Sequence, residues 1–332
     1  MNKLFTLAAT LLLGSAVSYA GEYKVTANLT DEANGSWAII TNFDNGDKID
    51  SVLVENSVAV FNGSIDTPIV ARMSVGGERF SQFFIEEGAI SINAEGNAIG
   101  SHLNDIWADF QGQVKVIYED YQAAPTDSAK TEMFIRYEAL LNKTRLENAD
   151  NAVGFLLFVQ NAYELTADEI NAYIAEHPAF ASSQRLANVL NSIKAKESTS
   201  EGCQYIDFEV EGKRLSDYVG KGKYVLVDFF ASWCGPCMRQ VRVLKEVYNE
   251  YKDSDKLTIL GVAVWDEPAD TERAIAKEEI PWECIINAQS LPTDLYGIVG
   301  IPCIILISPD GTILSRDKQS EELVADIHEY VK

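Results

Sequence analysis

The residues of this chain best placed to do chemistry are Cys234-Gly235-Pro236-Cys237, where an apolar run gives way to a helical pattern. A thiol at a helix N-terminus lies close to free backbone N–H groups and positive potential, which favour the thiolate. We therefore expect Cys234 to be exposed and reactive. Cys237, one turn further along, is expected to be shielded and able to attack a mixed disulfide on Cys234. Pro236 suits the first turn, where N–H groups have no intrahelical partner.

A zinc site or a purely structural disulfide is the alternative explanation of the same motif. Zinc needs two further ligands, and neither a second Cys-x-x-Cys nor a histidine pair occurs at a suitable spacing. All five cysteines lie at or beyond Cys203, which suggests chemistry in one domain rather than bridges spread over the chain. Pairing among Cys203, Cys284 and Cys303 stays open.

The elements around the motif alternate between strand and helix, which predicts an α/β domain with a mixed sheet over residues 198–332. The expected strands are Tyr224–Phe230, Leu257–Val264, Cys303–Ser308 and Thr312–Ser315, and the expected helices are Met238–Tyr251, Thr271–Glu278 and Glu321–Val331.

Two further regions precede this domain. Residues 21–102 alternate apolar and polar residues, which predicts an antiparallel β domain, and residues 103–197 have helical periodicity, which predicts a helical connector. The turns expected in the β domain lie at Asn45-Gly46, Asn62-Gly63 and Gly76-Gly77. Thr166 and Glu169 have the spacing of a capping box at the start of a helix.

The first twenty residues have the pattern of a secretory signal peptide. Lys3 is followed by an apolar stretch and by Ser18-Tyr19-Ala20, a small-x-small cleavage site. No later stretch is apolar enough to span a bilayer, so we expect an exported chain that is not inserted in the membrane. The net charge of −23 argues against nucleic acid and anionic membrane surfaces as partners.

The C-terminal domain resembles the thioredoxin superfamily, most closely the exported TlpA/ResA-like branch that is also known as AhpC/TSA or redoxin proteins. The resemblance covers residues 203–332. It is carried by Asp228, by Trp233 with the two cysteines, by Gly300-Ile301-Pro302 and by the Pro309-Asp310-Gly311 hairpin. Residues 22–115 are similar to a β domain of unassigned function that precedes such domains in some exported bacterial proteins.

The resemblance implies roles for the residues that surround the cysteines. Cys234 would be the nucleophile and Cys237 the resolving thiol, while Asp228, buried beneath them, would relay a proton to or from Cys237. Pro302 would follow a cis peptide bond after Ile301 and face the disulfide, and Trp233 would shield the site.

Two positions depart from the pattern of this branch. Gln240 stands where a glutamate is common, which removes a charge that tunes thiol protonation, and Cys303 stands where threonine usually follows the cis-proline. Cys303 either packs as a small buried residue or approaches Cys234 and competes with Cys237. These departures bear on redox potential and on the choice of partner.

The resulting prediction is a periplasmic thiol–disulfide oxidoreductase that acts on disulfide-containing client proteins. Its redox-active Cys234–Cys237 pair would need no cofactor and no metal. The Gly-Pro dipeptide resembles that of reducing thioredoxins, which favours the reductase direction and implies a membrane electron donor of the DsbD/CcdA type. The alternatives are a thiol peroxidase, disfavoured by Ala231 where peroxiredoxins have threonine, and a non-enzymatic module that binds clients or delivers metal.

Overall fold

The computed structural model of the protein describes residues 21–332. The predicted signal peptide, residues 1–20, lies outside the described residues. Within the described part, no helix combines the length and the apolar character needed to cross a membrane.

The described residues form two compact units. The helical region predicted as one connector over residues 103–197 is divided between them, because its first helices pack on the β domain and its last helix packs on the α/β domain. The first unit runs to Gln160 and includes His177–Ser183, and the second comprises Asn161–Glu176 and Gln184–Lys332.

The first unit contains the predicted β domain as two four-stranded sheets, with strand orders β4-β1-β7-β8 and β3-β2-β5-β6. Neighbouring strands are antiparallel except for the parallel pair β1 and β7. Alternate side chains of the strands, such as Val25 and Ala27, form a shared buried core. The strands are β1 Gly21–Asn28, β2 Trp37–Asn42, β3 Lys48–Leu53, β4 Val58–Ile65, β5 Ile69–Val75, β6 Glu78–Ile85, β7 Gly88–Ile92 and β8 Ala98–Ile99.

The turn predicted at Asn62-Gly63 is wrong, because both residues lie inside strand β4. Gly63 pairs with Tyr23 of β1, and a Cβ at Gly63 would lie 2.6 Å from the Tyr23 hydroxyl. The glycine is therefore needed for the close approach of a large side chain and not for a turn. The turns expected at Asn45-Gly46 and Gly76-Gly77 do connect β2 with β3 and β5 with β6.

Three helices complete the first unit. Trp107 lies between Phe84 of β6 and Phe110, with ring centroids 6.0 and 5.3 Å away, and so joins the first helix to the sheet. The helices are α1 His102–Ala123, α2 Asp127–Glu147 and α3 Ala152–Gln160.

The second unit is built on a five-stranded mixed sheet of order β13-β12-β11-β14-β15. β11 pairs in parallel with β12 and antiparallel with β14, as the alternation of strand and helix predicted. A short hairpin precedes the sheet. The strands are β9 Glu209–Val210, β10 Lys213–Arg214, β11 Tyr224–Phe230, β12 Leu257–Ala263, β13 Glu283–Ile285, β14 Cys303–Ile307 and β15 Ile313–Arg316.

Helices cover both faces of this sheet. The side chains on one face of the sheet pack against the helix that follows the Cys-x-x-Cys motif. The side chains on the other face form a second buried apolar cluster. The helices are α4 Ala167–Glu176, α5 Gln184–Ser198, α6 Gly235–Tyr251, α7 Pro268–Lys277, α8 Leu291–Tyr296 and α9 Ser320–Tyr330. The predicted capping box precedes α4, where the Glu169 carboxylate accepts the Thr166 backbone N–H at 2.8 Å.

Helix α5 is an integral part of the second unit. The Arg316 guanidinium on β15 donates to the Thr199 carbonyl at the end of α5 (3.0 Å) and to the Tyr296 carbonyl of α8 (2.7 Å). Gly297 lets α8 approach α5 closely, since a Cβ at this position would lie 2.1 Å from the Ser192 carbonyl oxygen. Buried hydrogen bonds and close backbone packing thus join α5 to the sheet.

Candidate active site

Cys234 and Cys237 are joined by a disulfide bond at the start of helix α6. Strand β11 ends at Phe230, a short turn follows, and Cys234 is the N-cap residue of the helix. Its sulfur accepts the Cys237 backbone N–H at 3.2 Å, so one of the free donors of the first turn points at the reactive atom. When the disulfide is reduced, this donor and the helix dipole stabilise a thiolate on Cys234.

The exposure of the site differs from the prediction. Cys234 is only 4% exposed, rather than open to solvent, although Cys237 is buried more completely. Trp233 is 63% exposed, with its indole N–H donating to the Trp265 carbonyl oxygen at 3.0 Å. The indole therefore projects into solvent beside the disulfide instead of packing in the core. Cys234 is shielded from solvent by the loop before β14.

That loop contains the predicted cis peptide bond, between Ile301 and Pro302. The Ile301 carbonyl oxygen lies 3.7 Å from the Cys234 sulfur. The loop thus places a backbone carbonyl group beside the more accessible of the two sulfurs.

Asp228 lies beneath the disulfide, inside the apolar strand β11. Its side chain faces the same side of the sheet as Phe230, which packs with both cysteines. The carboxyl group is fully buried, and burial raises its pKa to about 7. Oxygen Oδ1 has no hydrogen-bond partner among the described residues. Asp228 can therefore exchange a proton near neutral pH.

Gln240 is buried one turn beyond Cys237 and contacts the start of helix α9. Its side-chain carbonyl oxygen accepts the Ser320 N–H at 3.1 Å. In the structure the glutamine joins two helices, so its contact with α9 is a structural role that the sequence pattern did not predict.

Cys303 packs as a small buried residue, which is the first of the two alternatives predicted for it, and its thiol does not line the disulfide. The residue packs with Phe229 and Ile305 on the opposite face of the sheet, because its position in β14 pairs with Phe229 and not with Asp228. Its thiol donates to the Asp317 carboxylate at 3.1 Å.

Two residues at the site were missed by the sequence analysis. Asp266 is buried and holds the turn before the disulfide, accepting the Ser232 N–H at 2.7 Å and the Ser232 hydroxyl at 2.8 Å. Cys284 packs against the cluster that contains Cys234 and Cys237. Neither residue belongs to a local motif, so strand and loop positions alone bring them to the site.

A cleft of about 790 Å³ lies in the second unit beside the Trp265 loop. Its walls combine that loop, the segment before Ile301, and the helical residues that precede the α/β domain. The lining residues are Tyr163, Asn188, Asn191, Ser192, Trp265, Asp294, Ile298 and Val299.

The family model described as the AhpC/TSA family matches residues 194–316, which contain the disulfide, Asp228 and the Ile301-Pro302 bond. Residues 194–316 of this chain therefore form an AhpC/TSA domain with the thioredoxin fold. The first unit is matched separately, over residues 23–113, by DUF4369, a domain of unknown function.

Relatives of this AhpC/TSA domain are named for thiol–disulfide exchange. The thiol–disulfide oxidoreductase ResA of Bacillus subtilis is 27% identical over 152 residues, which are 43% of this chain and 83% of that protein. A thiol–disulfide oxidoreductase from Bacteroides fragilis is 30% identical, covering 39% of this chain and 98% of that one, with a TM-score of 0.34. A thiol:disulfide interchange protein from Bacteroides sp. is 32% identical, covering 39% and 84%, with a TM-score of 0.33. The AhpC/TSA domain of this chain is a thiol–disulfide oxidoreductase.

Proposed function

We propose that this chain is an exported reductase of disulfide bonds in client proteins. The observation that carries the proposal is the disulfide at the N-terminus of α6, with the Ile301 carbonyl beside Cys234 and the buried carboxyl of Asp228 beneath the pair. The apolar stretch and cleavage signal of residues 1–20 support export. In bacteria with two membranes, the compartment would be the periplasm, where disulfides persist.

The reaction begins with the reduced dithiol. The Cys234 thiolate attacks one sulfur of the client disulfide, forming a mixed disulfide and releasing the other client sulfur as a thiolate. Asp228, in its ionised form, takes the proton from the Cys237 thiol. The Cys237 thiolate then attacks the Cys234 sulfur, which re-forms the enzyme disulfide and releases the second client thiolate.

Each cycle leaves the enzyme oxidised, so an electron donor has to reduce the Cys234–Cys237 disulfide again. Outside the cytoplasm, a membrane dithiol transporter of the DsbD/CcdA type fits this need. Reduction of the purified oxidised protein by the periplasmic domain of such a transporter, followed by thiol labelling, tests this partner.

The client would lie along the cleft beside the Trp265 loop. The cleft is lined by Trp265, whose carbonyl oxygen accepts the Trp233 indole N–H, and by Asn188 and Asn191. Asparagine amides can pair with the backbone of an extended segment next to the client disulfide. Truncating Tyr163 to alanine should raise KM for a protein disulfide several-fold and leave the reduction of a small aromatic disulfide unchanged. Tyr118→Ala, which removes an exposed tyrosine of the other unit, is the matched control.

Trapping tests the proposed function directly. A Cys237→Ser variant cannot resolve its mixed disulfide, so clients should stay bound to Cys234 and appear as dithiothreitol-sensitive adducts in periplasmic extracts. Cys234→Ser is the control and should capture none. Equal adduct yields from both variants, or the absence of insulin reduction by the wild-type protein, would contradict the proposal. Consumption of hydrogen peroxide at the same rate as insulin disulfide would instead support a peroxidase.

A further inference from the structure

The turn that leads into Cys234 is anchored from outside. The Cys234 N–H donates to the Ala231 carbonyl oxygen at 3.1 Å, which closes a four-residue turn with Ser232 and Trp233 at its centre. Ser232 donates both its N–H (2.7 Å) and its hydroxyl (2.8 Å) to the Asp266 carboxylate. The first central residue of the turn is therefore fixed by two hydrogen bonds to one buried side chain.

The second central residue of the turn is fixed by the backbone of Trp265. The Trp233 indole N–H donates to the Trp265 carbonyl oxygen at 3.0 Å. Trp265 has a φ of +53°, a left-handed conformation that is uncommon for a bulky side chain and persists only where the surroundings fix it. The next residue is held from another loop, because the Gln289 side-chain amide donates to the Asp266 carbonyl oxygen at 2.9 Å. The loop that contains Trp265 and Asp266 is thus a fixed support for the turn.

The Asp266 carboxylate joins the turn to helix α7. Besides the two Ser232 donors, it accepts the Glu267 N–H at 3.1 Å and the Thr271 hydroxyl at 2.7 Å. Each carboxylate oxygen therefore accepts two hydrogen bonds. Hydrogen bonds to a charged acceptor are the stronger kind, so the turn is held firmly against α7.

The two cysteines of the site are held in different ways. Cys237 lies in the first turn of α6 and is completely buried, so the helix fixes its position. Cys234 is the N-cap residue, and the chain before it is the anchored turn. In the reduced protein, an anchored turn leaves the two thiols fewer conformations to lose when the S–S bond forms. Anchoring of the turn therefore favours the disulfide over the dithiol.

We propose that Asp266 is a positioning residue for the Cys234–Cys237 couple: through Ser232 it holds the turn in the geometry of the disulfide, which makes the dithiol a stronger reductant. This inference rests on the proposed reductase function and deepens it. When the two thiols form the disulfide they release two electrons and two protons, and the disulfide that accepts them becomes two thiols. Asp266 exchanges neither electrons nor protons in this step.

The test is the equilibrium of the purified protein with glutathione. One glutathione disulfide takes up the two electrons and two protons of the couple and becomes two thiols, and acid quenching followed by alkylation gives the equilibrium constant. Ser232→Ala removes one hydrogen bond without changing the charge, and it should lower this constant about threefold, which raises the redox potential by about 14 mV. Asp266→Glu keeps the charge but displaces the carboxylate, and it should lower the constant about tenfold, or about 30 mV.

Thr271→Val is the matched control, because it removes a hydrogen bond to the same carboxylate from α7 and not from the turn. It should lower the stability towards urea equally in the oxidised and reduced proteins and leave the glutathione equilibrium unchanged. Ser232→Ala should instead destabilise the oxidised protein more than the reduced one. The difference between its two losses of stability should equal the shift in potential, because the folded and unfolded redox forms make a closed thermodynamic cycle.

Wild-type equilibrium constants in both Ser232→Ala and Asp266→Glu would overturn the inference, and so would an equal shift in Thr271→Val. The glutathione equilibrium does not depend on client turnover. Failure of the inference is therefore distinguishable from failure of the proposed function: the first leaves insulin reduction intact with an unshifted potential in the variants, and the second removes insulin reduction from the wild-type protein.

Discussion

At the scale of single residues, the Asp228 carboxyl group makes the folding stability of this protein depend on pH. The group is fully buried in an apolar strand, and burial raises its pKa from an ordinary 3.8 to about 7. In the unfolded chain the same carboxyl ionises near its ordinary value. The folded state therefore binds one more proton than the unfolded state between these two pH values, and stability falls as pH rises through that window.

We predict that Asp228→Asn removes this loss of stability. In the wild-type protein Asp228 should lower the free energy of unfolding by about 4 kcal/mol between pH 4 and pH 8, since one pKa unit corresponds to about 1.4 kcal/mol. Urea unfolding of both proteins at the two pH values measures the difference, and any packing effect of the amide cancels. Parallel stability profiles would contradict the raised pKa.

A second prediction at this scale concerns the reactivity of Cys234. The Cys237 N–H points at its sulfur from the first turn of α6, so the thiolate of the reduced protein should form below the ~8.5 typical of a free thiol. Iodoacetamide alkylation of the Cys237→Ser variant, measured against pH, gives the midpoint for Cys234. A midpoint at or above the free-thiol value would be inconsistent with its role as the nucleophile.

At the scale of elements, the local sequence pattern was enough to predict the strand, the turn and the helix that position the disulfide. The apolar run of β11 and the amphipathic stripe of α6 flank the motif, so strand, turn and helix could be predicted together. The position of Cys284 beside Asp228 could not, because it depends on the register of three strands whose residues are far apart in sequence. The role of Gly63 was missed for a similar reason, since its partner Tyr23 lies on another strand.

The contact between α5 and α8 gives a prediction about Gly297. This residue has a φ of +60°, and a Cβ would lie 2.1 Å from the Ser192 carbonyl oxygen. Gly297→Ala should therefore lower the free energy of unfolding by about 2–4 kcal/mol, because it combines left-handed strain with a backbone clash. Gly222, at φ +84° with open space around its Cα, is the matched control for strain alone.

Gly222→Ala should cost only about 1 kcal/mol. Chemical denaturation of the two variants supplies the comparison. Equal losses of stability would mean that α5 moves away from α8 without penalty, and the close packing would then contribute nothing beyond the backbone conformation.

At the scale of the whole molecule, the chain consists of two compact units whose boundary does not follow the change from helical to alternating sequence pattern. The helices that precede the α/β domain contribute hydrogen bonds and packing to it, through Thr199 and Ser192. Hydrophobic periodicity identifies a helix but does not reveal which core its apolar face joins, and this limits how well domain boundaries could be predicted from the sequence.

A comparison of fragments tests this division. A fragment of residues 161–332 should melt at least about 5 °C above one of residues 203–332, because the shorter fragment leaves the buried Arg316 guanidinium without the Thr199 carbonyl and exposes the α8 surface. Calorimetry of both fragments beside the full chain provides the measurement. Identical melting temperatures would place the folding boundary at the start of the α/β pattern.

The exposed indole of Trp233 provides a built-in optical reporter. It directly precedes Cys234, and its ring is tethered to the Trp265 carbonyl. A disulfide quenches the fluorescence of an adjacent indole, so emission should increase when the Cys234–Cys237 bond is reduced and decrease when a client reoxidises it. Electron transfer can then be followed by stopped-flow fluorescence on an unlabelled protein, and Trp233→Phe should abolish the signal.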